Sequence, residues 1–341
     1  MEVRSARAAR LFMVVSAWLT IVVAVGVLPL RWVDSDSSRL ITLTVAGPLL
    51  TLGSVLVVAM VVVVAMAVSQ AREAPGFRGV RALAIAGAGL AGAGMVLYTP
   101  ADALVGCRPE PAPADAITVV TGNIYYGNND AEPLLRLADD HDADVLVVPE
   151  LNEVTGRTLA AHRDRYPYQK LIPYREGANG IGLISRLPLE DVEMVRTGTA
   201  RSVTATMETA AGPVALIAVH LPNPVTGPAS HWKQGLMDVE NLVNETSGPV
   251  IVAGDFNATA EHAPFRALLR STGLHDAHDD AGCGWDGTWP TRPGPATPLT
   301  GLARIDHVLL PETWRATRVN TAHIDGSDHA AVVATVAPAT G

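Results

Sequence analysis

Three long stretches without a charged residue dominate the first hundred positions of this 341-residue chain. They cover residues 11–30, 40–71 and 82–101. A helix needs about 20 predominantly apolar residues to cross the hydrocarbon core of a bilayer, and each stretch is long enough. The pattern therefore predicts a three-helix transmembrane anchor over residues 1–105, with buried helices of a soluble protein as the alternative.

The arginines around these stretches predict how the chain lies in the membrane. The first ten residues carry three arginines and residues 72–81 carry three more, whereas the two arginines of residues 31–39 are offset by two aspartates. Cytoplasmic loops are the ones enriched in Lys and Arg. We therefore expect a multi-pass protein of the plasma membrane, with a cytoplasmic N-terminus and an extracytoplasmic segment after residue 105, and we expect the lipid bilayer to be a partner.

Composition and charge exclude some classes of protein and some partners. With 48% hydrophobic and 17% charged residues the chain is not disordered. Residues 1–105 carry eight basic and five acidic residues, a net +3, and the other 236 carry 17 basic and 29 acidic residues, a net −12. An acidic domain does not hold a polyanion by bulk charge, so nucleic acid is only a second choice of partner. No protein partner is inferable.

A Pro-rich linker follows the anchor at residues 106–116, and such linkers are stiff and extended. The chain has two cysteines, which excludes a disulfide-dense scaffold and any metal cluster built from cysteine. Cys107 and Cys283 either pair in an oxidising compartment or remain free thiols. The sequence leaves this choice open.

Residues 117–341 alternate short apolar runs with amphipathic stretches, which is typical of an α/β (α+β) domain. The predicted strands are residues 117–121, 144–148, 181–185, 214–220, 250–253, 305–310 and 330–336. The predicted helices are residues 134–138, 157–162, 231–243 and 265–269.

Carboxylate, amide and imidazole side chains collect at the ends of these strands, where loops held by a rigid sheet often build functional sites. The residues are Asn123, Glu150, His220, Asp255, Asn257, Asp306, His307, Ser327, Asp328 and His329. The alternative is that Asn123, Asp255 and Asn257 serve only in turns and caps, and that His220 is only a core histidine.

The order of these motifs resembles the endonuclease/exonuclease/phosphatase (DNase I-like) superfamily. TGN, PE, NGIGLISR, VHLPN, GDFNA, RIDHVLL and SDHAAV follow one another across residues 117–336. The resemblance implies a DNase I-like four-layer α/β/β/α sandwich and hydrolysis of phosphoester bonds. Three spans followed by an external domain of this kind look like the VanJ-type teicoplanin-resistance membrane proteins.

The resemblance also implies a metal site. Glu150 is its metal carboxylate, Asn123 lies beside it, and Asp328 completes the shell. Oxygen ligands without cysteine favour a hard divalent ion, so we expect Mg²⁺ first and Mn²⁺ or Ca²⁺ next.

Five residues receive catalytic roles from the same resemblance. His329, oriented by Asp306, is a general base or a transition-state stabiliser. Asp255 positions or activates the attacking water. Asn257 donates to a phosphoryl oxygen, and His220 is an acid toward the leaving group or a clamp on the phosphate.

Other polar residues have more than one interpretation. Asn223 either faces the substrate or only precedes the turn at Pro224. His307 points to the opposite strand face from Asp306, which favours a structural role, and Ser327 is expected to bond locally. The His and Asp residues of 275–280 look like a metal cluster, but we expect a solvated loop there.

Together these observations predict an extracytoplasmic, Mg²⁺-dependent phosphohydrolase held on the membrane. An anchored site meets lipid headgroups at high effective concentration, so a lipid-linked or polyprenyl phosphate or pyrophosphate is the expected substrate. The alternatives are an extracellular nuclease or nucleotide phosphodiesterase, and a non-catalytic membrane protein that binds a phosphorylated ligand.

Overall fold

The computed structural model describes residues 28–50, 107–294 and 299–339, with isolated positions 15, 18, 26 and 53. The chain divides into two compact units, one built mainly from residues before 102 and one from residues after it. Before residue 107 the described elements are a 3₁₀ turn, Leu28–Trp32, and the helix α1, Ser38–Val45.

The three predicted spans fall largely outside the described residues. Residues 82–101 lie wholly outside, as do most of 11–30 and most of 40–71. Among the described residues, no helix combines the length and the apolar composition needed to cross a bilayer. The anchor therefore stays a prediction.

The second unit contains five further helices and twelve strands among its described residues. The helices are α2 (Glu132–Asp140), α3 (Glu153–Ala161), α4 (Ala229–Glu245), α5 (Ala263–Thr272) and α6 (Ala277–Asp280). The strands are β1 (Ile117–Thr121), β2 (Val145–Pro149), β3 (Tyr168–Ile172), β4 (Ile181–Ser185), β5 (Leu189–Thr197), β6 (Ala200–Thr209), β7 (Gly212–His220), β8 (Val250–Asp255), β9 (His275–Asp276), β10 (Asp306–Leu310), β11 (Trp314–His323) and β12 (Ala330–Pro338).

The strands form two six-stranded mixed sheets. The first has the order β11-β12-β1-β2-β4-β3 and the second the order β5-β6-β7-β8-β10-β9. Each sheet contains one parallel pair, β1 with β2 and β7 with β8, and its other pairs are antiparallel. The carboxyl ends of two parallel strands lie at the same sheet edge, so each pair delivers two neighbouring loops to one place.

The main core lies between the two sheets. Alternate residues of the central strands point inward, as the two-residue period of a strand requires. Val119 and Val147 of the first sheet meet Leu216, Ile251 and other apolar residues of the second in one buried cluster.

The opposite face of each sheet is covered by helices. Val120 and Leu146 pack in a second cluster with Leu134 of α2 and Leu159 of α3. On the second sheet, buried Trp232 of α4 donates from Nε1 to the Phe256 carbonyl at 3.0 Å, and Phe256 contacts Phe265 of α5. The layers are thus helix, sheet, sheet, helix, in agreement with the DNase I-like α/β sandwich that the sequence predicts.

The predicted elements are found with small differences in their ends, but several strands were missed. Strands β3, β5, β6, β9 and β11 had no counterpart in the prediction. The missed strands lie at or beside sheet edges and are partly exposed, with a pattern such as ieeieeieB along β5, so their apolar signal is weak. The sequence therefore predicts the fold class better than the sheet edges.

The start of the domain is fastened to its body. Cys107 and Cys283 form a disulfide, which answers the question that the sequence left open. The Arg108 N–H donates to the Ala281 carbonyl at 3.0 Å and the Glu110 N–H to the Thr317 carbonyl at 2.7 Å. The linker is therefore bound along α6 and β11 rather than standing free of the domain.

Candidate active site

The predicted site residues meet where the two parallel strand pairs end. Asn123 follows β1 and Glu150 directly follows β2, whereas His220 and Asp255 are the last residues of β7 and β8. Because the sheets pack face to face, these two edges bring the four side chains together. Residues far apart in the sequence thus form one pocket.

Strand register aligns part of this pocket on the second sheet. His220 pairs with Asp255 across β7 and β8, and Asp255 pairs with Asp306 across β8 and β10. Paired residues on neighbouring strands point to the same face of a sheet. The three side chains therefore form a row that faces the first sheet.

Asn123 connects the two carboxylates at the centre. Its Nδ2 lies 3.0 Å from Glu150 Oε1 and 3.0 Å from Asp255 Oδ2. The Nε2 atom of His220 is 3.9 Å from Glu150 Oε1 and 3.8 Å from Asp255 Oδ2. The Oδ1 of Asn123 accepts from the Tyr125 N–H at 2.9 Å, so Asn123 both forms a turn and joins the site.

The donor set suits a divalent cation. Ligand atoms of Glu150, Asp255 and His329 lie within 4.8 Å of one another, and this is the only such group of three or more His, Cys, Asp or Glu residues among the described positions. Asp255 is buried and Asp306 lies beside it. The carboxylate oxygens of Glu150 and Asp255 are ligands that a hard divalent cation prefers.

Two of the site residues have an unusual backbone conformation. Glu150 has φ of 61° and Asn257 has φ of 48°, values that non-glycine residues rarely adopt. The Tyr126 N–H donates to Glu150 Oε2 at 2.8 Å, and Asn152, two residues after Glu150, caps α3. The abrupt change from β2 to α3 therefore fixes the direction of the Glu150 carboxylate.

His329 is held by a buried carboxylate. Its ring atom Nδ1 lies 2.8 Å from Asp306 Oδ2. Its backbone N–H donates to Ser327 Oγ at 2.9 Å. Ser327 Oγ in turn donates to the Asn123 carbonyl at 2.6 Å, so Ser327 bonds across the site as well as locally. Burial alone would lower the pKa of His329, but Asp306 and Asp255 raise it to about 10.

Asp255 has a perturbed carboxyl group. Burial and the neighbouring Asp306 raise its pKa to about 6, against the opposing effect of His329. The Asn257 N–H donates to Asp255 Oδ1 at 2.8 Å. Asp255 is therefore ionised at neutral pH and can accept a hydrogen bond from a water molecule.

Asn257 and Asn223 form a polar pair beside this centre. The Nδ2 of Asn257 donates to the Leu221 carbonyl at 2.9 Å, and Asn223 donates to Asn257 Oδ1 at 3.1 Å. Asn223 also caps its own turn by accepting from the Val225 and Thr226 N–H groups. Asn223 therefore shapes its turn and contacts a site residue, and its contact with the substrate stays a prediction.

Asp328 lies at the rim rather than in the central group. Its Oδ2 accepts from Trp289 Nε1 at 3.3 Å, and its carbonyl accepts from the Thr291 N–H at 2.9 Å. Arg292 donates to the Ser327 carbonyl at 3.1 Å. The segment around Trp289 therefore holds the Ser–Asp–His motif in place, although its sequence did not predict a role in the site.

The run 275–280 differs from the expected solvated loop. It forms β9 and α6, and Asp276 and His278 are buried. Asp276 binds His307 Nδ1, and although burial favours a raised pKa, Arg304 and His307 hold the pKa of Asp276 well below its usual value. His307 is thus structural, as predicted, and within the run Asp276 and His278 are buried whereas Asp279 and Asp280 are exposed.

Two further residues near the pocket were missed by the sequence analysis. The Arg201 guanidinium stacks on the Tyr174 ring, 4.8 Å from its centroid, and the Tyr174 N–H donates to the Leu151 carbonyl at 2.9 Å. Arg201 lies on β6, which was not predicted as a strand. The alternation of Val203, Ala205 and Met207 was the signal that could have placed it.

A sandwich of two mixed sheets with a carboxylate, amide and imidazole pocket at its strand ends defines the class of DNase I-like phosphoesterases. The chain belongs to the Endonuclease/Exonuclease/phosphatase family, which matches residues 120–329. It is accordingly a metal-dependent hydrolase of phosphoester bonds. No curated protein matches the chain significantly.

Solved structures share this fold at low sequence identity. TDP2 from D. rerio, solved with a single-strand DNA product, has a TM-score of 0.55 and 16% identity over 65% of this chain and 99% of that one. A family protein from Beutenbergia cavernae has a TM-score of 0.53 and 21% identity, over 66% and 72%. The 3′ phosphatase NExo from Neisseria, bound to a product DNA hairpin, has a TM-score of 0.51 and 19% identity, over 64% and 98%.

Proposed function

We propose that this protein is a membrane-anchored, extracytoplasmic, Mg²⁺-dependent phosphohydrolase whose substrate is a lipid-linked or polyprenyl phosphate or pyrophosphate. Its layout is that of the VanJ-type membrane proteins that the sequence resembles. The observation that carries the catalytic part is the convergence of Glu150 and Asp255 around the Asn123 amide.

In this proposal Glu150 is the main metal carboxylate. Its neighbour Asn123 would supply its amide oxygen, Oδ1, which here accepts from the Tyr125 N–H. Asp328 contributes from the rim. When bound, the cation neutralises phosphate charge and acts as a Lewis acid on the phosphoryl group.

Asp255 holds the attacking water. Its raised pKa keeps it a stronger base than an ordinary carboxylate, and it is still ionised at neutral pH. A base is most effective when its pKa lies near the working pH. Asp255 therefore orients the water and accepts a proton from it.

His329 acts as a cation toward the phosphoryl oxygens. With a pKa of about 10 it carries its proton at neutral pH, so of its two predicted roles the stabilising one fits better than the basic one. The Asp306 bond to Nδ1 leaves Nε2–H free to donate. Preorganised donors of this kind stabilise charge that develops in a transition state.

His220 and Asn257 flank the same space. The Nε2 of His220 lies within 4 Å of both central carboxylates, and its buried Nδ1 has no hydrogen-bond partner among the described residues. We assign His220 to the phosphate or its leaving group. Asn257 has a second amide hydrogen to donate to a phosphoryl oxygen.

The choice of substrate and location is supported by three features. The three uncharged stretches of the first hundred residues suit an anchor. The net −12 of the catalytic half is a poor surface for a nucleic acid. The Cys107–Cys283 disulfide suits an oxidising compartment outside the cytoplasm.

A substrate panel tests the proposal. The full-length protein is purified in detergent and incubated with Mg²⁺ and a polyprenyl pyrophosphate, a phospholipid or plasmid DNA, with Glu150→Gln as the inactive control. We expect phosphate release from the lipid-linked substrate and none from the variant. Rapid nicking of the plasmid without lipid turnover would make the protein a nuclease instead.

A further inference from the structure

A row of charged side chains extends from the active site across the second sheet. Arg196 pairs with Arg201 across β5 and β6. Continuing the β6–β7 register by two residues beyond the Val203–Ala218 pair places Arg201 opposite His220. The row therefore runs from two arginines, through His220, to the carboxylates of Asp255 and Asp306.

Arg201 faces the space between the sheets, whereas Arg196, opposite it on the edge strand β5, is exposed. Val203 and Ala205, on the same side of β6 as Arg201, lie in the core between the sheets. Neighbouring strands are about 4.8 Å apart, so Arg201 begins one strand from His220 and about 10 Å from Asp255. The Tyr174 ring holds its guanidinium beside Leu151, the residue after Glu150.

Arg201 is half-buried against Tyr174, and the exposed Arg196 donates to the Thr199 carbonyl at 3.4 Å. Like charges directly opposite on neighbouring strands destabilise a sheet. Among the residues that the structure describes, no carboxylate lies within ion-pair distance of Arg196 or Arg201. The unpartnered, buried Nδ1 of His220 lies in the same row. An anion bound between the arginines and His220 would offset the repulsion between the two guanidinium groups and give His220 Nδ1 a hydrogen-bond partner.

We propose that Arg201, with Arg196 beyond it, binds a second phosphate of the substrate, so that the enzyme prefers a pyrophosphate over a monophosphate. This inference rests on the proposed function, because it places the hydrolysed phosphate at Glu150 and Asp255. A planar guanidinium binds two phosphate oxygens at once, and its stacking on Tyr174 fixes its plane.

The reaction on such a substrate is a hydrolysis. Water adds to the terminal phosphorus, the bond from that phosphorus to the bridging oxygen breaks, and inorganic phosphate is released. The bridging oxygen leaves with the remaining monophosphate, whose negative charge grows as the bond breaks. Arg201 stabilises that leaving phosphate, which a monophosphate substrate does not have.

Steady-state kinetics test this subsite. The full-length protein, Arg201→Gln, Arg201→Lys and the control Arg318→Gln, an exposed arginine on the first sheet, are assayed with farnesyl pyrophosphate, farnesyl phosphate and ADP. We expect Arg201→Gln to lower kcat/KM for the pyrophosphates by about 10- to 100-fold and to leave farnesyl phosphate nearly unchanged. The lysine should restore part of the loss, and the control should match the wild type.

Equal losses on farnesyl phosphate and farnesyl pyrophosphate, or no loss on either, would overturn the inference while leaving the proposed function standing. Loss on ADP but not on farnesyl pyrophosphate would assign the subsite to nucleotides rather than lipids. If the wild type hydrolyses none of the three substrates, the proposed function fails. The inference about Arg201 is then tested by the binding of inorganic pyrophosphate. Calorimetry without metal should then show that inorganic pyrophosphate binds the wild type more tightly than Arg201→Gln; equal binding would overturn it.

Discussion

The chemistry of single residues here depends on burial and on immediate neighbours. Asp306 is fully buried, yet its hydrogen bond to His329 keeps that imidazole charged. Asp255 sits in the same low-dielectric space and is made a stronger base by Asp306. Burial and the Asp306 carboxylate together thus set the protonation of Asp255 and His329.

Replacing Asp306 should remove the charge on His329. In Asp306→Asn the imidazole loses its anionic partner, so its pKa falls and Nε2 no longer donates reliably. We expect kcat to fall about 100-fold or more, with folding retained by circular dichroism. Asp164→Asn, on an exposed loop, is the matched control; an Asp306→Asn enzyme with wild-type kcat would refute the role.

Activity should depend on pH in a bell shape. Asp255 must be ionised, so kcat/KM rises as the pH passes about 6; His329 must be protonated, so kcat/KM falls as the pH passes about 10. The measurement is kcat/KM at saturating Mg²⁺ from about pH 5 to about pH 10.5. In Asp306→Asn the alkaline limb should move to lower pH, and a limb that stays in place would contradict the assignment.

The sequence could predict those site residues that belong to short motifs at strand ends. Glu150, Asp255 and His329 stand in short patterns at strand ends, and the structure brings them together. The metal set was harder, because the central group pairs Glu150 with Asp255 whereas Asp328 is held at the rim by Trp289. Spacing along a chain does not report which carboxylate turns inward.

At the scale of elements, the site depends on close contact between β7 and β8. Gly254 precedes Asp255, has φ of 148°, and a Cβ added there would lie 1.9 Å from the Val219 carbonyl oxygen. Only glycine lets the two parallel strands approach this closely. The position of Asp255 beside His220 is therefore set by a residue that has no side chain.

Gly254→Ala should destabilise the domain and impair catalysis together. Moving β8 away from β7 costs more than about 2 kcal/mol of unfolding free energy and displaces Asp255. Urea denaturation and kcat measure the two effects. Gly156→Ala in α3 is the control, since its Cβ would meet Pro173 at an ordinary 3.4 Å. We expect this control to leave the unfolding free energy unchanged or slightly higher. Equal losses of stability and of kcat in the two variants would contradict the role of Gly254.

Elements were predictable where burial was strong on one or both faces. The continuous apolar runs of β1, β2 and β8 are buried along nearly their whole length. The edge strand β5 is mostly exposed and carries a register shift between Glu190 and Glu193. Such a strand is defined by its partner β6 rather than by its own residues, so a single sequence does not reveal it.

At the scale of the whole molecule, the chain enters the catalytic domain at the end opposite to its site. Ile117, the first residue of β1, pairs with Val336 near the end of β12, whereas Asn123 lies beyond the other end of β1. The disulfide at Cys107 and the contacts at Thr317 fix the linker at that far end. The linker contacts and the site residues therefore lie at opposite ends of β1.

The disulfide should contribute strongly to stability. It joins residues 176 positions apart, and losing a native bridge commonly costs about 2–5 kcal/mol. We expect the Cys107→Ser, Cys283→Ser double variant of the full-length protein to unfold at lower urea concentration. A reductant should lower the urea midpoint of the wild type to that of the variant and leave the midpoint of the variant unchanged. A variant as stable as the wild type would contradict the expectation.

The central claim is that Glu150 holds one divalent cation at the catalytic centre, next to the carboxylate of Asp255. Titration of Mn²⁺ into the full-length wild type and into Glu150→Gln, followed by calorimetry, tests it most directly. The account predicts saturable binding to the wild type that weakens at least about tenfold in the variant. Binding of equal strength to both proteins would contradict it.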